Sequence, residues 1–339
     1  MRAGSGLRPG GRAGIRAGAR GPAAAIDGRT RLVALLGDPV AHSLSPALLN
    51  DAFAACGIPW VYVALPVTAR DLGAVIRALA ATGAVGANVT APHKSRVVRF
   101  ADHLSPEVLA TGAANTLSFG AGRAGEGAGA ARAGAARAGA IRVRADATDG
   151  AGFLRFLDAE RVAVRGRRVV VAGSGGAARS LLYHLTRAGA RASVLSRRPR
   201  AAGRTLAPLL PPRATLAIAR RGGRAAERLL ERADLFVNAT PLGARPRDPL
   251  PIDPRTLPSG AVVVDLLYAP RRSRLVLGAE KRGLRALNGL GLLVHQAGLS
   301  FEIWTGLEAP IERLVKVAAR HVDREDSGAP RARSRPRRG

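Results

Sequence analysis

Hydrophobic order begins at Arg31, because residues 1–30 are Gly, Ala and Arg with no apolar period and predict a disordered basic extension. Leu32-Val33-Ala34-Leu35-Leu36 is a short apolar run ended by Gly37-Asp38-Pro39, which predicts a buried strand. Ser45-Pro46 opens a helix over Ala47 to Cys56, since proline just inside a helix start loses no hydrogen bond. Ser45 reads as its N-cap. Trp60 to Leu65 predicts a second strand. Leu72, Val75, Ile76 and Leu79 carry helical spacing over Asp71 to Ala81, and Gly86 to Thr90 predicts a third strand. This alternation of strand and helix predicts a mainly parallel α/β sheet.

Residues 120–140 are nearly all Gly, Ala and Arg and read as a low-complexity loop insertion before an Ile141-Arg142-Val143 strand. A second α/β unit starts at Gly166. Arg168 to Ala172 predicts a strand, Gly173 to Ala178 a turn, Arg179 to Ala188 a helix and Ala192 to Leu195 the next strand. Leu235 to Val237 and Val262 to Val264 predict later strands of the same sheet, and Val294 to Leu307 a helix. Residues 321–339 read as a second disordered basic tail. A chain of 339 residues accommodates two domains.

Composition changes this picture in three ways. The net charge of +29 invites a nucleic-acid partner. Yet the cations are 50 Arg and three Lys, and Arg, Ala, Gly and Pro all have GC-rich codons, so the bias is genomic. Much of the excess lies in the tails, neither of which interleaves aromatics for base stacking, and nucleic acid is therefore discounted. The single Cys56 excludes an internal disulfide and reads as a small packed residue. No apolar run is long enough to span a membrane, and no signal-peptide apolar region is present, so a soluble, cytoplasmic protein is expected. The bias also makes disfavoured residue types informative: Lys94 among so many Arg, the lone Gln296, and the five Asn at 50, 88, 115, 238 and 288.

The chemistry-bearing segments fall at strand ends. Gly173-Ser174-Gly175-Gly176-Ala177-Ala178 has the form G-x-G-x-x-A between a strand and a helix, where small residues admit a pyrophosphate and the helix start supplies N–H donors. The next strand ends in Ser196-Arg197-Arg198, where an NAD site would carry an acid. Arginine there suits a 2′-phosphate and favours NADP. Ser43 and Ser45 are spaced to bind a carboxylate through neutral donors. Asn88-Val89-Thr90-Ala91-Pro92-His93-Lys94 ends the third strand, and a lysine there can move a proton on a substrate oxygen. His93 is the rival base, and its ordinary role is packing.

Taken together these segments resemble the shikimate dehydrogenase family over roughly residues 31 to 320. Ser43-Leu44-Ser45-Pro46 resembles its carboxylate-binding serine pair. Asn88 to Lys94 resembles N-V-T-x-P-x-K, Gly112 to Leu117 resembles G-A-x-N-T-L, and Thr148-Asp149-Gly150 resembles the end of N-T-D-G. Asn238-Ala239-Thr240, Asp265-Leu266-Leu267-Tyr268 and Gly289 to Ala297 are similar to the later N-A-T, D-x-x-Y and G-x-G-M-L-x-x-Q-A segments. Three departures stand out: Ala147 where the family has Asn, Leu292 where it has Met, and the 120–140 insertion.

The resemblance implies a two-domain α/β enzyme with a cleft between the domains. Residues 31–148 plus 290–320 would form the substrate domain, and residues 149–289 a Rossmann-like NADP domain. Lys94 and Asp149 would be catalytic. Ser43, Ser45, Thr90, Asn115, Asp149, Tyr268 and Gln296 would bind substrate. Gly173, Ser174, Gly175, Gly176, Ala177, Ser196, Arg197, Arg198, Asn238, Leu266 and Gly289 would bind NADP, with no metal. The implied reaction is the reversible reduction of 3-dehydroshikimate to shikimate, in the pathway to chorismate and aromatic amino acids. The implied partners are these small molecules, with no membrane, for a monomer or homodimer. Two rivals remain at this stage: a quinate/shikimate dehydrogenase using NAD, and a basic nucleic-acid-binding or regulatory protein reusing the fold.

Overall fold

The computed structural model describes residues 26–121, 141–212, 214–245 and 247–326. Expectations for residues 1–25, 122–140 and 327–339 lie outside these. Two six-stranded sheets organise the chain.

The first sheet has the order β2-β1-β3-β5-β6-β4. Its strands are β1 (Arg31–Gly37), β2 (Trp60–Pro66), β3 (Gly86–Val89), β4 (His103–Leu104), β5 (Thr116–Ala121) and β6 (Ile141–Asp146). β1 pairs in parallel with both β2 and β3, and β4 with β6. β5 runs antiparallel to β3 and β6. β1 is buried from Val33 onward because both of its faces are covered. One face packs on α1 (Ser45–Ala55), α9 (Leu290–Thr305) and α10 (Ile311–Asp326) through Leu48, Phe53, Phe301 and Leu314. The other packs on α2 (Leu72–Ala81) and α3 (Pro106–Thr111) through Ile76 and Val108.

The second sheet has the order β12-β11-β10-β7-β8-β9, and every pairing in it is parallel. The strands are β7 (Arg168–Ala172), β8 (Arg191–Ser196), β9 (Ala217–Arg220), β10 (Leu235–Asn238), β11 (Val262–Asp265) and β12 (Arg285–Asn288). This is the doubly-wound order whose direction reverses between β7 and β10, where ligands bind beyond the strand ends. α4 (Asp149–Ala159), α5 (Gly176–Arg187) and α6 (Pro199–Leu206) cover one face. α7 (Arg224–Leu230) and α8 (Arg274–Glu280) cover the other. α4 lies between the two sheets, packing on both α5 and α9.

Several expectations change. Ser45 is not an N-cap: the cap position is Leu44 without a side-chain bond, and Ser43 Oγ instead accepts the Ser45 N–H at 3.2 Å. The strand before the 120–140 insertion continues through Gly120 and Ala121, held by pairing to Arg142 and Ile141. α5 starts at Gly176, three residues early, because the turn is complete by Gly175: Gly173 takes φ 119° and Gly175 is extended. α9 starts at Leu290 instead of Val294, where the Asn288 side chain accepts the Leu290 N–H at 3.0 Å. α10 runs to Asp326, past the expected tail boundary. Residues 27–30 form a turn in which the Thr30 hydroxyl accepts the Asp27 N–H at 2.9 Å.

Gly289 connects β12 to α9, and an added Cβ there would lie 2.0 Å from the Leu266 carbonyl oxygen. Backbone cannot yield as a side-chain tip can. Gly289→Ala is therefore expected to destabilise the protein by about 1–3 kcal/mol, as overpacking does. Urea titration measures this, and an unchanged midpoint would contradict the contact.

Candidate active site

The loop after β3 carries Lys94, and the first residue of α4 is Asp149. The Lys94 ammonium donates to Asp149 Oδ2 at 2.6 Å, 55 residues away in the chain. The lysine side chain keeps 22% of its exposure and the carboxylate 10%, so the pair sits in a cleft wall open on the lysine side. The loop is anchored at its backbone, since the Lys94 carbonyl accepts the Ala114 N–H at 2.8 Å.

Asn115 orients the carboxylate. Its Nδ2 donates to Asp149 Oδ1 at 3.1 Å, to Thr148 Oγ1 at 2.9 Å and to Gln296 Oε1 at 3.2 Å. Its Oδ1 accepts the Thr148 N–H at 2.7 Å. Three distant segments, at the starts of β5 and α4 and within α9, thus meet at one amide. Gln296 is held from behind by the Leu293 carbonyl at 2.9 Å.

Beneath this layer lies a buried polar network outside the expected site. Asn88 Nδ2 donates to the Asn115 carbonyl, Thr116 Oγ1 and Ser300 Oγ at 2.9–3.1 Å. Asn88 Oδ1 accepts the Tyr62 hydroxyl at 2.8 Å. Burial pushes the Tyr62 phenol well above its ordinary pKa, and its hydrogen bond with Ser45 opposes that rise. The network thereby links Tyr62 on β2 to Asn115. Among its members, the scarcity of Asn was the one signal present in the sequence. Tyr62 and Ser300 gave none, because their partners lie 26 and 212 residues away.

The remaining expected residues sort by position. Ser45 is buried and Ser43 half-buried at the start of α1, while Thr90 is half-buried at the end of β3. Tyr268 is half-buried after β11. His93 is 1% exposed, and its Nε2 lies 2.6 Å from the Val67 carbonyl, so it packs the loop and is no base.

The second sheet brings its glycine turn to the same place. A Cβ on Gly176 would lie 3.4 Å from Lys94 Cβ. Gly175 caps α5 with no side-chain bond, so the first N–H groups of the helix, including those of Gly176 and Ala177, are available to an anion. A Cβ on Gly175 would meet nothing within 4 Å, so the space beside the turn, next to Ser174, is open. Ser196 is buried and its Oγ accepts the Arg198 N–H at 3.2 Å. Arg197 and Arg198 are exposed beyond it, with no partner for either guanidinium among the described residues. These groups fit a phosphorylated dinucleotide.

Asn238 is fully buried, its Nδ2 donating to the Leu242 carbonyl and Asp265 Oδ1, and its Oδ1 accepting from Thr240. Its amide shapes the turn after β10, whose Ala239 carbonyl lies against Gly173. Asp265 beneath it also accepts the Ser273 hydroxyl at 2.6 Å, and burial holds its carboxyl above the usual range. The Leu266 N–H is held by the Asn238 carbonyl at 3.0 Å, leaving its half-buried side chain at the strand end. Among the described residues, grooves of about 720 and 640 Å³ lie beside α7 and between α4 and α10. Among the described residues no group of His, Cys, Asp and Glu could hold a metal, and no helix is long and apolar enough to cross a membrane.

Residues 35–117 match the shikimate dehydrogenase substrate binding domain, residues 161–244 an NAD(P)-binding family, and residues 289–318 the shikimate 5′-dehydrogenase C-terminal domain. A shikimate dehydrogenase (NADP(+)) of Methanopyrus kandleri is 37% identical over 302 residues, covering 88% of this chain and 98% of the relative. A shikimate dehydrogenase crystallised with NADP+ superposes with TM-score 0.78 at 28% identity, covering 89% of this chain and 99% of its own. One from Thermus thermophilus, in complex with NADP(H) and shikimate, gives TM-score 0.71 at 28% identity over 86% and 99% of the two chains.

Asn88→Ala would strand the buried Tyr62 hydroxyl and withdraw a donor from three acceptors. Each buried unsatisfied group costs about 1–3 kcal/mol, so a loss of at least about 2 kcal/mol is expected on chemical denaturation. A loss below about 0.5 kcal/mol, the size of an ordinary surface change, would show that the network does not hold the site.

Proposed function

The chain belongs to the shikimate dehydrogenase family, and we infer from that membership that it catalyses the NADP-dependent, reversible reduction of 3-dehydroshikimate to shikimate. The observation that carries the reading is the Lys94–Asp149 contact beside the glycine turn of a doubly-wound sheet.

The substrate is a cyclohexene carboxylate bearing ring hydroxyls. Ser43 and Ser45 bind its carboxylate. Thr90, Asn115, Asp149 and Gln296 hold its hydroxyls, with Tyr268 at the cleft edge. Gly173 makes the turn, the N–H groups of Ser174 to Ala177 hold the pyrophosphate, and Arg197 and Arg198 take the 2′-phosphate beside Ser196. Leu266 and Gly289 border the nicotinamide end. When bound, NADPH supplies the hydride.

As the C3 carbonyl of 3-dehydroshikimate is reduced, the ammonium of Lys94 gives its proton to the forming alkoxide. In oxidation the neutral amine takes that proton back. Asp149 holds the lysine nitrogen at the oxygen and balances its charge. The exposed flank of Lys94 lets solvent restore the proton. The protein works as a monomer or a homodimer.

Purified protein is assayed by nicotinamide absorbance with shikimate and NADP, and with quinate and NAD. Turnover of the first pair well above the second is expected, and the reverse would point to a quinate enzyme. Lys94→Ala should lower kcat by about 10²-fold or more, in line with general acid–base contributions, with a much smaller change in the KM for shikimate. Near-normal turnover by this variant would remove Lys94 from the mechanism.

A further inference from the structure

Glu107 is a buried carboxylate that the reaction does not touch. It lies in the first turn of α3 and is 8% exposed. The Ser180 hydroxyl donates to its Oε1, and His184 Nε2 meets its Oε2 at 2.7 Å. Both partners are on α5, the helix whose start faces Lys94. A buried ionic cluster of this kind adds little stability compared with apolar packing. Its geometry shows another use.

Ser180 Oγ also accepts the Gly150 N–H at 2.8 Å. Gly150 follows Asp149 directly and is the second residue of α4. First-turn N–H groups have no partner within their own helix. α4 has no cap of its own, because Thr148 makes no side-chain cap and its hydroxyl serves Asn115 instead. A serine on a different helix therefore caps the helix that carries Asp149.

A serine hydroxyl has one proton. On a helix its usual outlet is a carbonyl one turn back. Glu107 takes that proton, which turns an Oγ lone pair toward Gly150. The fit is close: a Cβ on Gly150 would lie 2.3 Å from the Ser180 carbonyl oxygen and 2.5 Å from His184 Cδ2. The same face of α5 sends Arg179 to the Thr111 carbonyl at 2.7 Å and to the hydroxyl of Ser95, the residue after Lys94.

We propose that Glu107 is a positioning residue for the reaction: it orients the Ser180 hydroxyl, which caps α4 and sets the Asp149 carboxylate against Lys94. The proposal rests on the dehydrogenase reading above. Steady-state kinetics on the full chain, with shikimate and NADP varied separately, test it. Glu107→Ala should lower kcat roughly five- to ten-fold, the scale of a lost cap, while both KM values stay within about two-fold. Ser180→Ala should give the same loss. Glu107→Gln should restore most of kcat, because its carbonyl can accept from Ser180 and its amide can meet His184. In a Lys94→Ala background, Glu107→Ala should cost nothing further, since the pair it serves is gone.

Unchanged kcat in both the Glu107→Ala and Ser180→Ala proteins would overturn the proposal. So would a rise in the KM for NADP with kcat intact, which would mean that the cluster only docks α5. A full additional loss in the Lys94→Ala background would overturn it too. If Glu107→Ala fails to fold, Ser180→Ala and Glu107→Gln decide the matter. Absence of turnover by the unmutated protein would instead overturn the functional reading itself.

Discussion

A lysine ammonium held 2.6 Å from an aspartate carboxylate is the contact around which the rest is arranged. Partly burying two charges costs solvation, and their attraction repays it only when the remaining lone pairs and protons also find partners. Asn115 provides one such partner to Asp149. The backbone of Ala114 fixes the lysine loop. The open flank of Lys94 spares its ammonium full desolvation and leaves it able to exchange protons. A lysine on a flexible surface would meet none of these conditions.

The two sheets explain how such a contact can form beside a nucleotide. Lys94 follows a strand of the first sheet, and Asp149 begins the helix that leaves it. The glycine turn follows the first strand of the second sheet. Close approach is possible because small residues stand at the junctions: Gly176 against Lys94, Gly150 against Ser180, Gly152 against the Gln296 backbone at 2.8 Å. A Cβ at Gly150 or Gly152 would collide with backbone, while one at Gly176 would only touch the Lys94 side chain. The abundance of glycine in this chain is compositional in the tails and structural at these points.

Much of this was legible in the residues themselves. The apolar runs of β1, β7 and β8 stand out because inner strands of covered sheets bury both faces. The scarce Lys, Asn and Gln pointed to positions 94, 88, 115 and 296, all of which converge. What was hidden has physical causes. β4 is two residues long, and β9 buries only one of its four residues, so neither shows the apolar run of a covered strand. α6, α7 and α8 span only seven or eight residues each, about two turns, which is too short for a periodic pattern to stand out. The expected tail boundary at 321 fell inside α10, whose last six residues are polar except for Val322. Ser45 looked like a cap, but Leu44 takes the cap position and Ser43 supplies the bond. Asn238 carried its motif, and its side-chain bonds to Asp265 and Thr240 were not visible in it. Glu107, 73 residues from Ser180, has no local pattern at all.

The central claim is that Lys94 and Asp149 act as one unit. The most direct test is a double-mutant cycle on kcat for shikimate oxidation with NADP, comparing Lys94→Ala, Asp149→Ala and the double variant. Groups that work as a unit are strongly non-additive. The double variant should be no slower than Lys94→Ala alone, within about two-fold. Losses that multiply across the two positions would show that the residues act independently and would contradict the account.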